Sequence, residues 1–215
     1  MTTGSASPAQ GLDALLAGNR RFVAGAPRHP NQDAARRTEI EPGQTPFAVL
    51  LGCSDSRLAA EIIFDQGLGD LFVVRTAGHV LGPEVLGSIE YGTSVLDCSL
   101  VVVLGHDSCG AVAAARAAID EGAAAPGYVR DVVERVTPSV LAARSAGLHA
   151  DSDFIDEHIR RTVDLLLERS RVLNDQVAAG QAAVVGLAYR LSEGSARLVT
   201  ARGLPAPAPD DTPVG

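Results

Sequence analysis

The chain carries three strand-length apolar runs, at 47–52, 71–75 and 100–104, in which polar residues do not alternate with apolar ones. A strand with one wet face reads polar at every second position, whereas a strand covered on both faces reads apolar throughout. Between the runs lie helix-like stretches at 83–96 and 111–120, long enough to carry the crossovers that parallel strands require. This β-α-β-α order predicts an α/β domain: a central, mostly parallel sheet of about four strands flanked by helices.

The remaining segments extend that plan. Leu12, Leu15, Leu16 and Phe22 fall near helical spacing, so the first 25 residues predict a helix, with a second over 31–40 after the Pro27 to Pro30 passage. Residues 1–40 read together as a helical arm. Two longer helical patterns follow at 128–144 and 154–179. A short strand at 183–187 continues toward Arg190, and Glu193-Gly194 reads as a turn into an added C-terminal edge strand at 197–200. No internal repeat or linker divides the chain, so 1–203 reads as one domain. The tail 204–215 holds four prolines and two aspartates and predicts disorder.

Composition removes several classes of function. The 26 acidic and 18 basic residues leave a net charge of −8, and no basic stripe offsets it, so no nucleic-acid partner is expected. All basic residues are arginine; without a lysine there is no Schiff-base chemistry and no P-loop lysine. No apolar run reaches the roughly 18 to 20 residues of a bilayer span, so no membrane partner is expected. Residues 1–10 lack the features of a secretory signal, and three cysteines are an odd number. Together these predict a cytoplasmic, reducing location with thiols that are free or metal-bound.

Three residues concentrate chemistry at strand ends: Cys53 after the first run, His106 and Cys109 after the third. In an open parallel sheet the carboxyl ends of the strands line the crevice where ligands bind. Two thiolates and one imidazole make a three-ligand zinc site of the catalytic kind, with the fourth tetrahedral position exchangeable. Cys98 lies at the other end of the third strand, more than about 20 Å from His106 if extended, and reads as a buried hydrophobe. Asp55 and Arg57 follow Cys53 closely enough to form a carboxylate–guanidinium pair beside the open position.

Cys53-Ser54-Asp55-Ser56-Arg57 and, about 50 residues later, Gly105-His106-Asp107-Ser108-Cys109-Gly110 resemble the paired motifs of the β-class carbonic anhydrases, in their bacterial, actinobacterial-like branch. The similarity continues through Ala60-Glu61-Ile62-Ile63-Phe64-Asp65, Phe72-Val73-Val74-Arg75-Thr76-Ala77-Gly78 and Ser88-Ile89-Glu90-Tyr91, and spans most of 12–200. The resemblance implies a Zn²⁺ enzyme that hydrates carbon dioxide reversibly to bicarbonate and a proton by attack of a zinc-held hydroxide. It implies Cys53, His106 and Cys109 as metal ligands and Asp55 and Arg57 as the catalytic dyad. It also implies Gln44, Phe72, Ala77, Tyr91 and Gly110 in the substrate pocket, and a site shared across a homodimer, possibly within a tetramer, with the helical arm wrapping a second subunit. In members of the family Asp55 can replace the water as fourth ligand in an inactive form, which acidic pH should favour. A regulatory bicarbonate pocket known in one subgroup needs a Trp three residues before the first Cys; Leu50 stands there, so that mode is not expected.

Two thiolates cancel the formal charge of Zn²⁺, so the surroundings must supply the acidity that three neutral imidazoles would leave on the metal. Asp55, held by Arg57, is placed to accept the proton, and His79 is a candidate for passing it to solvent. Three other readings compete. Carbonyl sulfide and carbon disulfide hydrolases use a similar site. A non-enzymatic zinc-binding or redox-sensing module would need a permanent fourth ligand. A cysteine phosphatase built on Cys109 and Arg116 fails, because 111–118 reads as continuous helix where a phosphate loop is needed.

Overall fold

A computed structural model of the 215-residue chain describes residues 6–204. The expected disorder of the Pro-rich tail falls, from residue 205 on, outside the described residues. The chain runs α1 (Pro8–Val23), α2 (Ala34–Glu39), β1 (Ala48–Cys53), α3 (Ala60–Ile63), β2 (Leu71–Thr76), α4 (Pro83–Ser94), β3 (Leu100–His106), α5 (Gly110–Glu121), α6 (Val129–Ser145), α7 (Asp151–Arg169), α8 (Arg171–Ala178), β4 (Ala183–Arg190) and β5 (Ser195–Arg202). The five strands form one sheet in the order β2-β1-β3-β4-β5, with every pair parallel except β4 and β5. This is the mostly parallel sheet with an added antiparallel edge strand that the sequence predicts. No helix among the described residues is long and apolar enough to cross a membrane.

The apolar runs occupy the middle of the sheet because both of their faces are covered. Every residue of β1 and β3 is buried, and β4 is buried up to Ala188 and Tyr189. Side chains alternate along a strand. Leu100 of β3 packs beside Gly11 of α1 while Gly105 abuts Ile159 of α7, so helices lie on opposite faces. β2 is different: it forms an edge, and its residues are half-buried or exposed.

The helical arm is anchored within its own chain. Leu12 and Leu15 are buried, and Gly18 lets α1 approach the backbone at Phe64 more closely than any Cβ would permit. Buried Asn19 donates to the carbonyls of Ile63 and Gly194 and accepts from the Ala196 N–H. The apolar residues of the arm that lack a sequence-local partner therefore find one in β3, β5 and α3. A capping box between Ser7 and Gln10, with Pro8 in the first turn, fixes where α1 starts.

Three element boundaries differ from the sequence reading. The second helix begins at Ala34 rather than 31, since Asn31 is left-handed (φ 55°) and Asp33 caps the Arg36 N–H. The stretch 154–179 is two helices broken at Ser170, whose backbone is extended. Buried Ser170 donates to Glu90 of α4 and accepts from the Leu173 N–H, a long-range tie that no local periodicity reveals. The edge strand is longer than 197–200, because pairing with β4 recruits residues on both sides.

Candidate metal centre

Cys53 is the last residue of β1 and His106 the last of β3, and Gly52 pairs with Leu104 across the two strands. Parallel neighbours end at the same side of a sheet, so both side chains arrive at one place. A turn through left-handed Ser108 (φ 53°) then brings Cys109 back to them just before α5. The Cys53 and Cys109 sulfurs and a His106 nitrogen all lie within 4.8 Å of one another, and all three residues are buried. Cys98 is buried at the far end of β3, where its S–H meets the Pro46 carbonyl. It stays outside the cluster, as its position in the sequence requires.

The donor set fits a zinc ion. His106 Nδ1 lies 2.7 Å from the Asp107 carbonyl, which places the proton on Nδ1 and leaves Nε2 as a lone-pair donor. Nε2 is buried without a hydrogen-bond partner, the condition expected of a ligand atom. The two thiols are unequal. The neighbouring Cys109 thiol lowers the pKa of Cys53 against the opposing effect of burial, while the Cys53 sulfur and burial push Cys109 up. Cys₂His is a borderline-soft set suited to Zn²⁺.

Beside the cluster, Asp55 and Arg57 form the bidentate pair predicted from their spacing. Arg57 Nε donates to Oδ1 at 2.9 Å and Nη2 to Oδ2 at 2.7 Å, and the Arg57 backbone N–H adds a third bond to Oδ1. These donors hold the Asp55 carboxyl far below the usual carboxylate range. Asp55 Oδ2 is 3.9 Å from His106 Nε2, so the carboxylate edges the donor cluster while remaining turned to Arg57.

Of the pocket residues implied by resemblance, the chain gathers only some near the cluster. Ala77 follows β2 beside the Cys53 end of the sheet and is exposed, and Gly110 opens α5 with open space in front of its Cα. Gln44 is exposed before the start of β1, at the opposite end of that strand from Cys53, and the strand alone spans about 17 Å at strand rise. Phe72 pairs in register with Val49, four rungs from Cys53, and its ring lies 6.0 Å from that of Tyr91. Within one chain Gln44, Phe72 and Tyr91 thus lie away from the metal end. His79, the shuttle candidate, is 1% exposed, neither ring nitrogen has a hydrogen-bond partner, and burial lowers its pKa well below the ordinary value. An imidazole enclosed in this way has no direct path to solvent, which argues against the shuttle role implied by its position.

Two contributors were missed in the sequence. Arg75 Nε donates to the Cys53 carbonyl at 3.0 Å and Nη2 to the Asp55 carbonyl at 2.7 Å, pinning the loop that carries Cys53 and Asp55. A charged residue ending an otherwise apolar strand next to the Cys53 strand was the available signal. Gly78 donates its backbone N–H to Cys53 Sγ at 3.3 Å. Main-chain donors of this kind leave no mark on residue type, though the glycine itself is a clue.

Comparison with known proteins extends these observations. A family model described as carbonic anhydrase matches residues 48–196. Carbonic anhydrase 2 of Mycobacterium tuberculosis is 56% identical over 192 residues, covering 89% of this chain and 93% of that protein. The carbonic anhydrase of Mycolicibacterium smegmatis is 54% identical over 194 residues, covering 90% and 94%. Among solved structures, a tetrameric β-carbonic anhydrase of Sordaria macrospora superposes with a TM-score of 0.66 at 21% identity, over 75% of this chain and 84% of that one. With the fold shared at low identity and the sequence shared at high identity over nearly whole chains, this protein belongs to the β-class carbonic anhydrases, of the actinobacterial type.

Proposed function

We propose that the chain holds one Zn²⁺ through Cys53, His106 and Cys109 and hydrates carbon dioxide reversibly to bicarbonate and a proton, with Asp55 and Arg57 as the catalytic pair. The observation that carries this reading is the meeting of three buried donor atoms within 4.8 Å, with an Arg-bound carboxylate at their edge. When bound, zinc supplies a Lewis acid that lowers the pKa of a water ligand toward neutrality.

The chain's own residues do the rest. Asp55 is kept ionised by Arg57 and is ready to accept a proton or hydrogen bond at Oδ2, the oxygen nearest the cluster. Arg57, with its side chain 52% exposed, neutralises that carboxylate while leaving it within reach of solvent. Arg75 fixes the backbone between them, and a fixed geometry is what converts proximity into rate. Because the carboxylate can turn toward the donor cluster, the grip of Arg57 also governs whether Asp55 becomes the fourth ligand.

Ala77 and the open space before Gly110 serve the substrate side of the same site, and Gln44, Phe72 and Tyr91 reach it from a neighbouring copy. Their position at the other end of the strands supports this arrangement, as does the half-exposed edge strand β2 on which a second copy could pair. The Sordaria macrospora relative in fold is itself tetrameric. We therefore assign a homodimer, with tetramer formation open to it, in which the helical arm also contacts the partner. Three free cysteines suit a reducing, cytoplasmic setting.

The test is a zinc determination coupled to stopped-flow hydration of carbon dioxide, run beside sulfide release from carbonyl sulfide. One zinc per chain with fast hydration is expected. Preferential sulfide release would move the site to the carbonyl sulfide hydrolases, and zinc without either activity would make it a non-enzymatic metal module.

A further inference from the structure

Behind the metal cluster lies a second buried polar group that the proposed chemistry does not use. His158 of α7 is 3% exposed and Ser139 of α6 is 1% exposed. His158 Nδ1 lies 2.9 Å from Ser139 Oγ, and Nε2 lies 2.8 Å from the Gly78 carbonyl oxygen. A carbonyl only accepts, so the proton is on Nε2; Nδ1 then accepts from the Ser139 hydroxyl. The same peptide segment points its other polar group forward, the Gly78 N–H reaching Cys53 Sγ at 3.3 Å. Ser139, His158, Gly78 and Cys53 thus form one continuous hydrogen-bonded line from the helical layer to the metal ligand.

We propose that His158 is a positioning residue for the metal site, holding Gly78 so that its N–H stays on the Cys53 sulfur. The inference rests on the zinc reading above. The segment needs holding: Gly78 and His79 are both left-handed, at φ 63° and 43°, a conformation costly for any residue but glycine. A Cβ at Gly78 would stand 2.7 Å from that of Ala111, so the turn is pressed against α5. Without the His158 donor the buried Gly78 carbonyl would lack a partner, and the turn would lose its reason to face this way. His79 packs against the His158 ring at 4.4 Å between centroids and shields its face. Burial lowers the His158 pKa, which keeps the imidazole neutral and the direction of the line fixed.

The chemical consequence concerns the thiolates. An N–H aimed at a thiolate withdraws electron density from it and weakens its donation to the metal. With two thiolates cancelling the ion's charge, such a donor restores part of the metal's Lewis acidity. His158 would therefore act on the reaction through a peptide, without touching substrate.

The experiment uses full-length protein loaded with cobalt(II) for spectroscopy and with zinc for chelator competition, in wild type, His158→Leu, His158→Gln and His158→Asn. Gln carries its amide donor near the Nε2 position and should retain the Gly78 bond; Leu has no donor, and Asn is too short. His158→Leu and His158→Asn should move the sulfur-to-cobalt charge-transfer band to longer wavelength and slow zinc release by about fivefold, because a thiolate freed of one hydrogen bond donates more strongly to the metal. His158→Gln should restore the wild-type band. Folded His158→Leu with a wild-type band and zinc release overturns the proposal. If the Leu variant does not fold, the Gln and Asn pair decides, and identical spectra for those two overturn it equally. A wild-type protein that takes up neither metal would instead refute the zinc reading itself.

Discussion

Asp55 and Asp65 are both aspartates bound to arginine and both held below the usual carboxylate range, yet they are wired in opposite ways. Asp55 is paired with a residue two positions away whose side chain is half exposed, so the pair is made and unmade locally. Asp65 has a side chain with no exposure and gathers donors from a distant stretch: Arg21 Nε at 2.5 Å and the backbone N–H groups of Arg28 and His29. Burial works to raise its pKa, and those three donors outweigh it. The first pair costs little to rearrange and lies beside the donor cluster. The second ties the helical arm to the sheet and leaves no slack. The same two side-chain types thus give a locally rearrangeable pair in one place and a clamp in the other, according to the sequence separation and burial of their partners.

The contrast can be broken most sharply at Asp55. Asp55→Asn should lower carbon dioxide hydration by about 10²- to 10⁴-fold, the range for losing a positioned proton acceptor, with the urea midpoint nearly unchanged. A loss of stability instead of activity would erase the distinction between the two carboxylates. Asp65→Ala should do the reverse. Deleting it strips the partner from three donors and should destabilise the fold by about 3 kcal/mol in urea unfolding, with hydration per folded molecule retained.

Replacing the guanidinium fork while keeping its charge sharpens the comparison. Arg57→Lys cannot grip Asp55 through two parallel bonds, and hydration should fall by about tenfold, near the lower end for one charged hydrogen bond. An unchanged rate would mean that charge alone suffices.

The smallest effect is in the acid limb of stability. A carboxyl whose folded pKa lies below its unfolded value of about 3.9 stabilises the fold above that value. Its contribution is lost as pH falls through the folded pKa. Stability measured from pH 6 downward should therefore decline less steeply in Asp65→Asn than in wild type. Parallel curves would show that Asp65 titrates alike in both states.

How much of this was legible in the sequence depends on the range of the interaction concerned. The buried strands were readable because two covered faces leave an unbroken apolar record. The Asp55–Arg57 pair was readable because its partners are two residues apart, and the meeting of Cys53 with His106 followed from the rule that parallel strands end together. Asp65, Asn19 and Ser170 were not readable, since their partners lie tens of residues away and an isolated Asp, Asn or Ser carries no mark of them. His158 escaped for the same reason; a histidine on an amphipathic helix looks like any surface residue until α6 and the Gly78 turn cover it. Gln44, Phe72 and Tyr91 are a separate case. The family resemblance implies them in the pocket, whereas a single chain puts them at the other end of the sheet, a separation that the proposed homodimer is meant to bridge.

The most direct test of the metal centre is zinc-edge X-ray absorption on the purified protein. Two sulfur neighbours at about 2.3 Å, one imidazole nitrogen at about 2.0–2.1 Å and one further light atom are expected. An absence of zinc, or a shell with fewer than two sulfurs, would contradict the assignment of Cys53, His106 and Cys109 as its ligands.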